Sequence, residues 1–136
     1  METLFTKIGK GEIPSVQLFS DELCYAILDI APVNKGHALV ISREPYPTLE
    51  EAPLEVLERM MKVVKRLSKR MREQLKAEAT NIIVNNGPAA GQEVPHLHIH
   101  VIPRFEKDGK GFAAHKMQYD EGEMPLFGDK LRIMEL

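Results

Sequence analysis

The run His96-Leu97-His98-Ile99-His100-Val101-Ile102 alternates histidine or an apolar residue at every step, and no other part of the chain restricts its fold so tightly. A period of two is the period of a β-strand, whose side chains alternate faces at about 3.3 Å per residue. The pattern therefore predicts a strand over residues 96–102. Leu97, Ile99 and Val101 turn into a core, and three imidazoles form a file on the other face, roughly 6.6 Å apart.

Such a strand needs neighbours, and the chain supplies them. Gly9-Lys10-Gly11-Glu12-Ile13-Pro14 signals a turn before a strand at 15–19, and further strands read at 24–28, 37–41 and 81–84. Short connections between the first three favour an antiparallel meander. Between Pro53 and Lys76, Leu54, Leu57, Met60, Met61, Val64, Leu67, Met71 and Leu75 recur at the spacing of one amphipathic helix. Its other face carries Lys62, Lys65, Arg66, Lys69, Arg70 and Arg72. With acids interleaved, this reads as a solvated helix face rather than a polyanion patch. A terminal strand is expected at 131–134.

Composition narrows the function classes. The 136 residues form one domain, and a net charge of −2 with 28% charged residues gives no global pull toward nucleic acid or an anionic membrane. Any anion must be held locally. Cys24 is the only cysteine, which makes an intrachain disulfide impossible and a reducing compartment the simpler expectation. The first ten residues lack the apolar core of a signal peptide, and no stretch approaches a membrane span, so a cytoplasmic protein is expected.

Imidazole, with an ordinary pKa near 6.5, serves as nucleophile, proton carrier or metal ligand. Glu93 and His37 could complete a metal site with the file. Its first and third members, however, stand roughly 13 Å apart and would not readily share one ion, so metal is the weaker reading. Phosphoryl or nucleotidyl transfer needs a nucleophile and hydrogen-bond donors. The loop Asn85-Asn86-Gly87-Pro88-Ala89-Ala90-Gly91-Gln92 beside the file offers both close backbone approach and side-chain amides, although by itself it is an ordinary turn. His115 has no motif around it and reads as a surface residue.

The string Gly91-Gln92-Glu93-Val94-Pro95-His96-Leu97-His98-Ile99-His100-Val101-Ile102-Pro103-Arg104 resembles the signature of the histidine triad superfamily. Phe5-Thr6-Lys7-Ile8, Gly11-Glu12-Ile13-Pro14, Leu28-Asp29-Ile30-Ala31-Pro32 and Gly36-His37-Ala38-Leu39-Val40-Ile41 resemble its other segments in the same order, so the likeness covers residues 3 to 104. It implies an α+β fold: a five-stranded antiparallel sheet, one long helix and a short N-terminal helix, with two sheets joined across a homodimer. Residues 1–104 would be the domain proper, and 105–136 a tail packing on it or on the dimer partner.

The resemblance also implies a function: binding of purine nucleotides and cleavage at the α-phosphate, with no cofactor and no metal. By this carry-over His98 is the nucleophile that forms a nucleotidyl-histidine. The His96 carbonyl orients it, and His100 and His37 assist at the phosphate oxygens. Asp29 holds the ribose, and Asn85, Gly91 and Gln92 contact phosphate or ribose. Phe5, Ile8, Ile13, Phe19, Ile27 and Ile30 wall the base. Without the resemblance, Phe5, Ile8, Phe19 and Ile27 would read as plain core, Asp29 as a turn residue and His37 as a strand-end histidine. A nucleoside phosphoramidase releasing AMP or GMP is the leading expectation. A dinucleoside polyphosphate hydrolase and a weakly catalytic nucleotide-binding regulatory module are the alternatives.

Two departures stand out. Many prokaryotic relatives carry Cys-x-x-Cys near the start as half of a zinc site, where this chain has Met1-Glu2-Thr3-Leu4-Phe5. Relatives usually place serine or threonine where this chain has Glu93, and a carboxylate near a phosphate repels it unless paired or turned away.

Overall fold

The computed structural model describes residues 1–136. Along the chain lie α1 (Leu4–Gly9), β1 (Gln17–Ser20), β2 (Cys24–Leu28), β3 (Ala38–Ser42), α2 (Leu54–Gln74), β4 (Ala79–Ile83), β5 (His98–Arg104) and α3 (Glu123–Leu131). The strands form one antiparallel sheet in the order β1-β2-β3-β5-β4. This is the expected α+β architecture, with α2 the one long helix. No helix is long and apolar enough to cross a membrane.

Alternation divides the strands between two cores. Cys24 and Ala26, Ala38 and Val40, and Leu97, Ile99 and Val101 meet Val56, Met60, Val63, Val64 and Met71 of α2 on one face. Tyr25 and Ile27, with Leu39 and Ile41, face the other way and enclose Phe5 of α1. Each large apolar side chain fully buried on these faces contributes roughly 1.5–3 kcal/mol of transfer free energy. The Tyr25 hydroxyl donates to the Phe5 carbonyl and so ties the short helix to the sheet.

Pro53, with φ −61° and no N–H to satisfy, stands at the N-cap, one residue before the helix it was expected to begin. The turn into β3 requires glycine at Gly36. There φ is +101°, and a Cβ would lie 2.6 Å from Cδ1 of Leu75 at the far end of α2.

β1 and β4 start two residues away from the expected 15 and 81, and two further elements differ from the sequence reading. The histidine strand begins at His98, not His96, because its ladder starts where β3 can pair: His98 stands opposite Ile41 and β3 ends at Ser42. His96 falls in the bend before it. The strand expected at 131–134 is absent, and α3 stops at Leu131. Glu123 accepts from the Asp120 N–H at 2.9 Å and starts that helix, while the alternation from Leu131 to Met134 meets no strand to pair with. Arg104 binds Asp108 at 2.8 Å and its guanidinium sits 5.4 Å over the Phe112 ring. Beyond that point the tail is exposed almost throughout, His115 included, and α3 buries none of its residues on this chain.

Candidate active site

Strand alternation turns His98 and His100 of β5 away from α2, and the register sets Ile41 beside His98 and Leu39 beside His100. With α1 and the loop before β5 they wall a cavity of about 410 Å³, a size suited to a small ligand. Phe5, Ile8, Ile13, Ile27 and Leu39 form an apolar side; Asp29, Asn85, Glu93, His98 and His100 supply the polar groups.

The hydrogen bonds fix the proton positions on each ring. His98 Nδ1 lies 2.7 Å from the His96 carbonyl oxygen. A carbonyl only accepts, so Nδ1 carries the proton and Nε2 keeps its lone pair. Edge-on contacts with Phe5, at 4.9 Å between centroids, and with His100, at 5.1 Å, hold the ring plane. Burial pushes the His98 pKa below its ordinary value, against the hydrogen bond to His96 and the carboxylates of Asp29 and Glu93.

A second chain of bonds starts from the backbone. The Val33 N–H donates to His37 Nδ1 at 3.0 Å, so His37 carries its proton on Nε2. That N–H donates to His100 Nδ1 at 2.9 Å, which leaves the His100 proton on Nε2. Burial and the neighbouring His98 and His37 hold the His100 pKa down to about 4. Burial also lowers His37, with the Asp29 carboxylate 3.6 Å away opposing. At neutral pH one strand thus presents a fixed lone pair on His98 and a fixed donor on its neighbour.

His96 is fully buried and acts as a bracket. Its Nε2 donates to the Ser42 carbonyl at 2.6 Å, and the Thr3 hydroxyl donates to its Nδ1 at 2.6 Å. Thr3 is also the N-cap of α1, in a capping box with Thr6. One imidazole therefore joins the end of β3 to the start of α1, and its own backbone carbonyl faces His98.

Asp29, His37 and His100 bring one potential ligand atom each within 4.8 Å of one another. The His37 Nε2 that would bind an ion carries the proton donated to His100, so an ion there would have to displace that proton.

All four histidines near the cavity have lowered pKa values, which links them to stability. Below about pH 6.5 the unfolded chain binds protons that the fold excludes, so stability is full above that pH and falls as pH drops, for His100 down to about 4. Thermal unfolding followed from pH 8 to 4.5 is expected to show a flat Tm down to about pH 6.5 and a decline below it. A Tm rising on acidification would contradict the assignment.

The HIT domain family profile matches residues 10–107 of this chain. The chain belongs to the HIT family. Adenylylsulfatase HINT3 of Arabidopsis thaliana is 43% identical to it over 107 residues, 79% of this chain and 54% of that protein, so the chain spans about half the length of that relative. Adenosine 5'-monophosphoramidase HNT1 of Saccharomyces cerevisiae is 42% identical over 121 residues, 87% of this chain and 74% of that one. The crystal structure of a HIT-family member from Bacillus subtilis matches with a TM-score of 0.86 at 33% identity, covering 96% of this chain and 95% of that one.

In this HIT-family chain, Phe5, Ile8, Ile13, Ile27, Asp29, Ile30, Asn85, Gly91, His98 and His100 all line the cavity. His37 stands behind His100 and His96 beneath His98. Two expected residues lie elsewhere. Phe19 pairs with Ala26, whose side chain faces α2, and it packs on that core instead of walling a base. Gln92 commits both ends of its amide to backbone, accepting from the Gly87 N–H of its own loop at 2.8 Å and donating to the Pro47 carbonyl between β3 and α2 at 2.7 Å. Leu39 and Thr3 escaped the sequence reading. Leu39 shares the parity of His37 and Ile41 in β3, and the Thr3-x-x-Thr6 spacing is the signal of the cap that holds His96.

Proposed function

We propose that this HIT-type hydrolase releases a purine nucleoside monophosphate through attack of His98 on the α-phosphate, with nucleoside phosphoramidates as its substrates. One observation carries the reading: the lone pair of His98 Nε2 and the N–H of His100 Nε2 face one cavity that also has an apolar side and a carboxylate. The purine lies against Phe5, Ile8 and Ile27, and Asp29 accepts from the ribose hydroxyls. His100 donates to a non-bridging phosphate oxygen, with His37 holding its tautomer.

In the first step Nε2 of His98 bonds to phosphorus and the P–N bond breaks, its electron pair leaving with the amine, which takes up a proton. The imidazole becomes cationic, and the His96 carbonyl and the Asp29 and Glu93 carboxylates favour that charge. In the second step water attacks phosphorus, loses its proton, and the P–Nε2 pair returns to His98. The balance is phosphoramidate plus water giving nucleoside monophosphate plus amine, with no cofactor.

The lining of the cavity supports phosphoramidates over dinucleoside polyphosphates, since it holds two carboxylates and neither lysine nor arginine. The relative named as an adenosine monophosphoramidase agrees. The homodimer belongs to the same proposal, supported by the open outer edge of β4, where Ile82 is 48% exposed. Comparing kcat/KM for adenosine 5'-phosphoramidate and a diadenosine polyphosphate tests the substrate class. An advantage of at least about tenfold for the phosphoramidate is expected, and equal or reversed values would overturn it.

A further inference from the structure

The two carboxylates of the cavity differ in their commitments. Asp29 accepts from the Ala31 N–H at 2.9 Å through Oδ1, and its Oδ2 stands 3.6 Å from His37 Nε2. Glu93 lines the same cavity from the loop before β5, is exposed to solvent, and takes part in no ion pair. Nothing cationic offsets it, since the cavity holds no lysine or arginine and burial keeps its histidines neutral at pH 7. The apolar side and Asp29 accommodate the nucleoside. With the nucleoside so placed, Glu93 is the cavity's remaining carboxylate for the other substituent on phosphorus.

Resting on the hydrolase reading above, we infer that Glu93 is a specificity residue that selects leaving groups by charge. Its free carboxylate favours an amine that retains a second, positive charge over a neutral amine. It rejects a leaving group that carries a negative charge, such as a sulfate, a carboxylate or a further phosphate. The physical cause is Coulomb energy at the rim of a half-wet cavity. Two unit charges some 6–8 Å apart at an effective dielectric constant between protein surface and water change a rate by about tenfold. Such a preference is screened by salt, which a steric preference is not.

The test uses the full-length protein and three adenosine 5'-phosphoramidates with the same P–N bond and alkyl length, ending in ammonium, methyl or carboxylate. For the unaltered protein at low salt, kcat/KM is expected to fall about tenfold at each step from ammonium to methyl to carboxylate, and the spread to shrink in 0.5 M salt, where the Debye length is roughly 4 Å against about 30 Å at 0.01 M. Glu93→Gln is expected to compress each step to below about threefold, and Glu93→Lys to reverse the order. Because Glu93 is exposed, both variants should fold, as thermal unfolding will show. A spread that Glu93→Gln leaves intact, with all three substrates turned over, overturns this inference alone. Absence of turnover of every phosphoramidate by the unaltered protein overturns the hydrolase reading and this inference with it.

Discussion

His98→Ala is expected to lower kcat on a nucleoside phosphoramidate by about 10⁴–10⁶, the range seen when the attacking group of a covalent mechanism is deleted. The size follows from what is lost. His98 Nε2 is the lone pair that the hydrogen bond from Nδ1 to the His96 carbonyl frees for attack, and the neighbouring His100 presents a proton where His98 presents electrons. No second nucleophile occupies the cavity in a comparable state. His37 and His100 are bound to each other, and both carry their protons on Nε2. The measurement is a steady-state rate beside circular dichroism of the same sample. The ring also packs on Phe5, and its removal should cost some stability without loss of the fold. A rate loss below about tenfold would reject His98 as the nucleophile.

The largest expected effect on stability belongs to His96. Its ring is 0% exposed, both nitrogens are bonded at 2.6 Å, and Phe5 meets it edge-on at 5.7 Å between centroids. His96→Ala leaves a void and deprives the buried Ser42 carbonyl and Thr3 hydroxyl of their partner, which together cost about 3–5 kcal/mol. Thermal unfolding should fall by roughly 10–20 °C for a chain of this length. Thr3→Val removes the donor to Nδ1 together with the side-chain cap of α1, and is expected to cost about 2–3 kcal/mol. This milder variant keeps the assignment testable if His96→Ala does not fold. In either variant the carbonyl that orients His98 is less well held, so kcat should fall while KM changes little. A Tm for His96→Ala within about 2 °C of the unaltered protein would mean that the bracket contributes nothing.

These two residues also show how far a linear sequence carries this kind of reading. The alternation in residues 96–102 correctly assigned Leu97, Ile99 and Val101 to one core and His98 and His100 to the opposite face, because side-chain parity within a strand is a local property. The same parity put His96 on the face of Phe5, where it lies, but inside a strand that begins two residues later. Where a strand starts is set by the end of its partner, here Ser42, and that is not local. Phe19 was lost to the same cause in another form: β1 shifts register between Gln17 and Phe19, and a shift of one residue exchanges the faces. The alternation from Leu131 to Met134 resembled a strand, but a strand exists only with a neighbour to bond.

The proton positions lie further still from the sequence. Nothing in the spacing of His37 and His100 reveals that the Val33 N–H fixes the tautomer of both rings in turn. The roles proposed for these residues rest on the family resemblance, and the hydrogen bonds add the tautomers that those roles need. Glu93 was legible as a departure in sequence. Its consequence depends on a fact of the assembled cavity, that no cation lines it.

The central claim is a covalent nucleotide on His98, and the most direct measurement is peptide mapping after an alkaline quench, under which a phosphorus–histidine bond survives. In a single-turnover time course with an adenosine phosphoramidate, one nucleoside monophosphate is expected on the peptide carrying His98. It should rise before free AMP and decay as AMP appears. Substrate consumed without any such adduct, or an adduct on another residue, would contradict the mechanism.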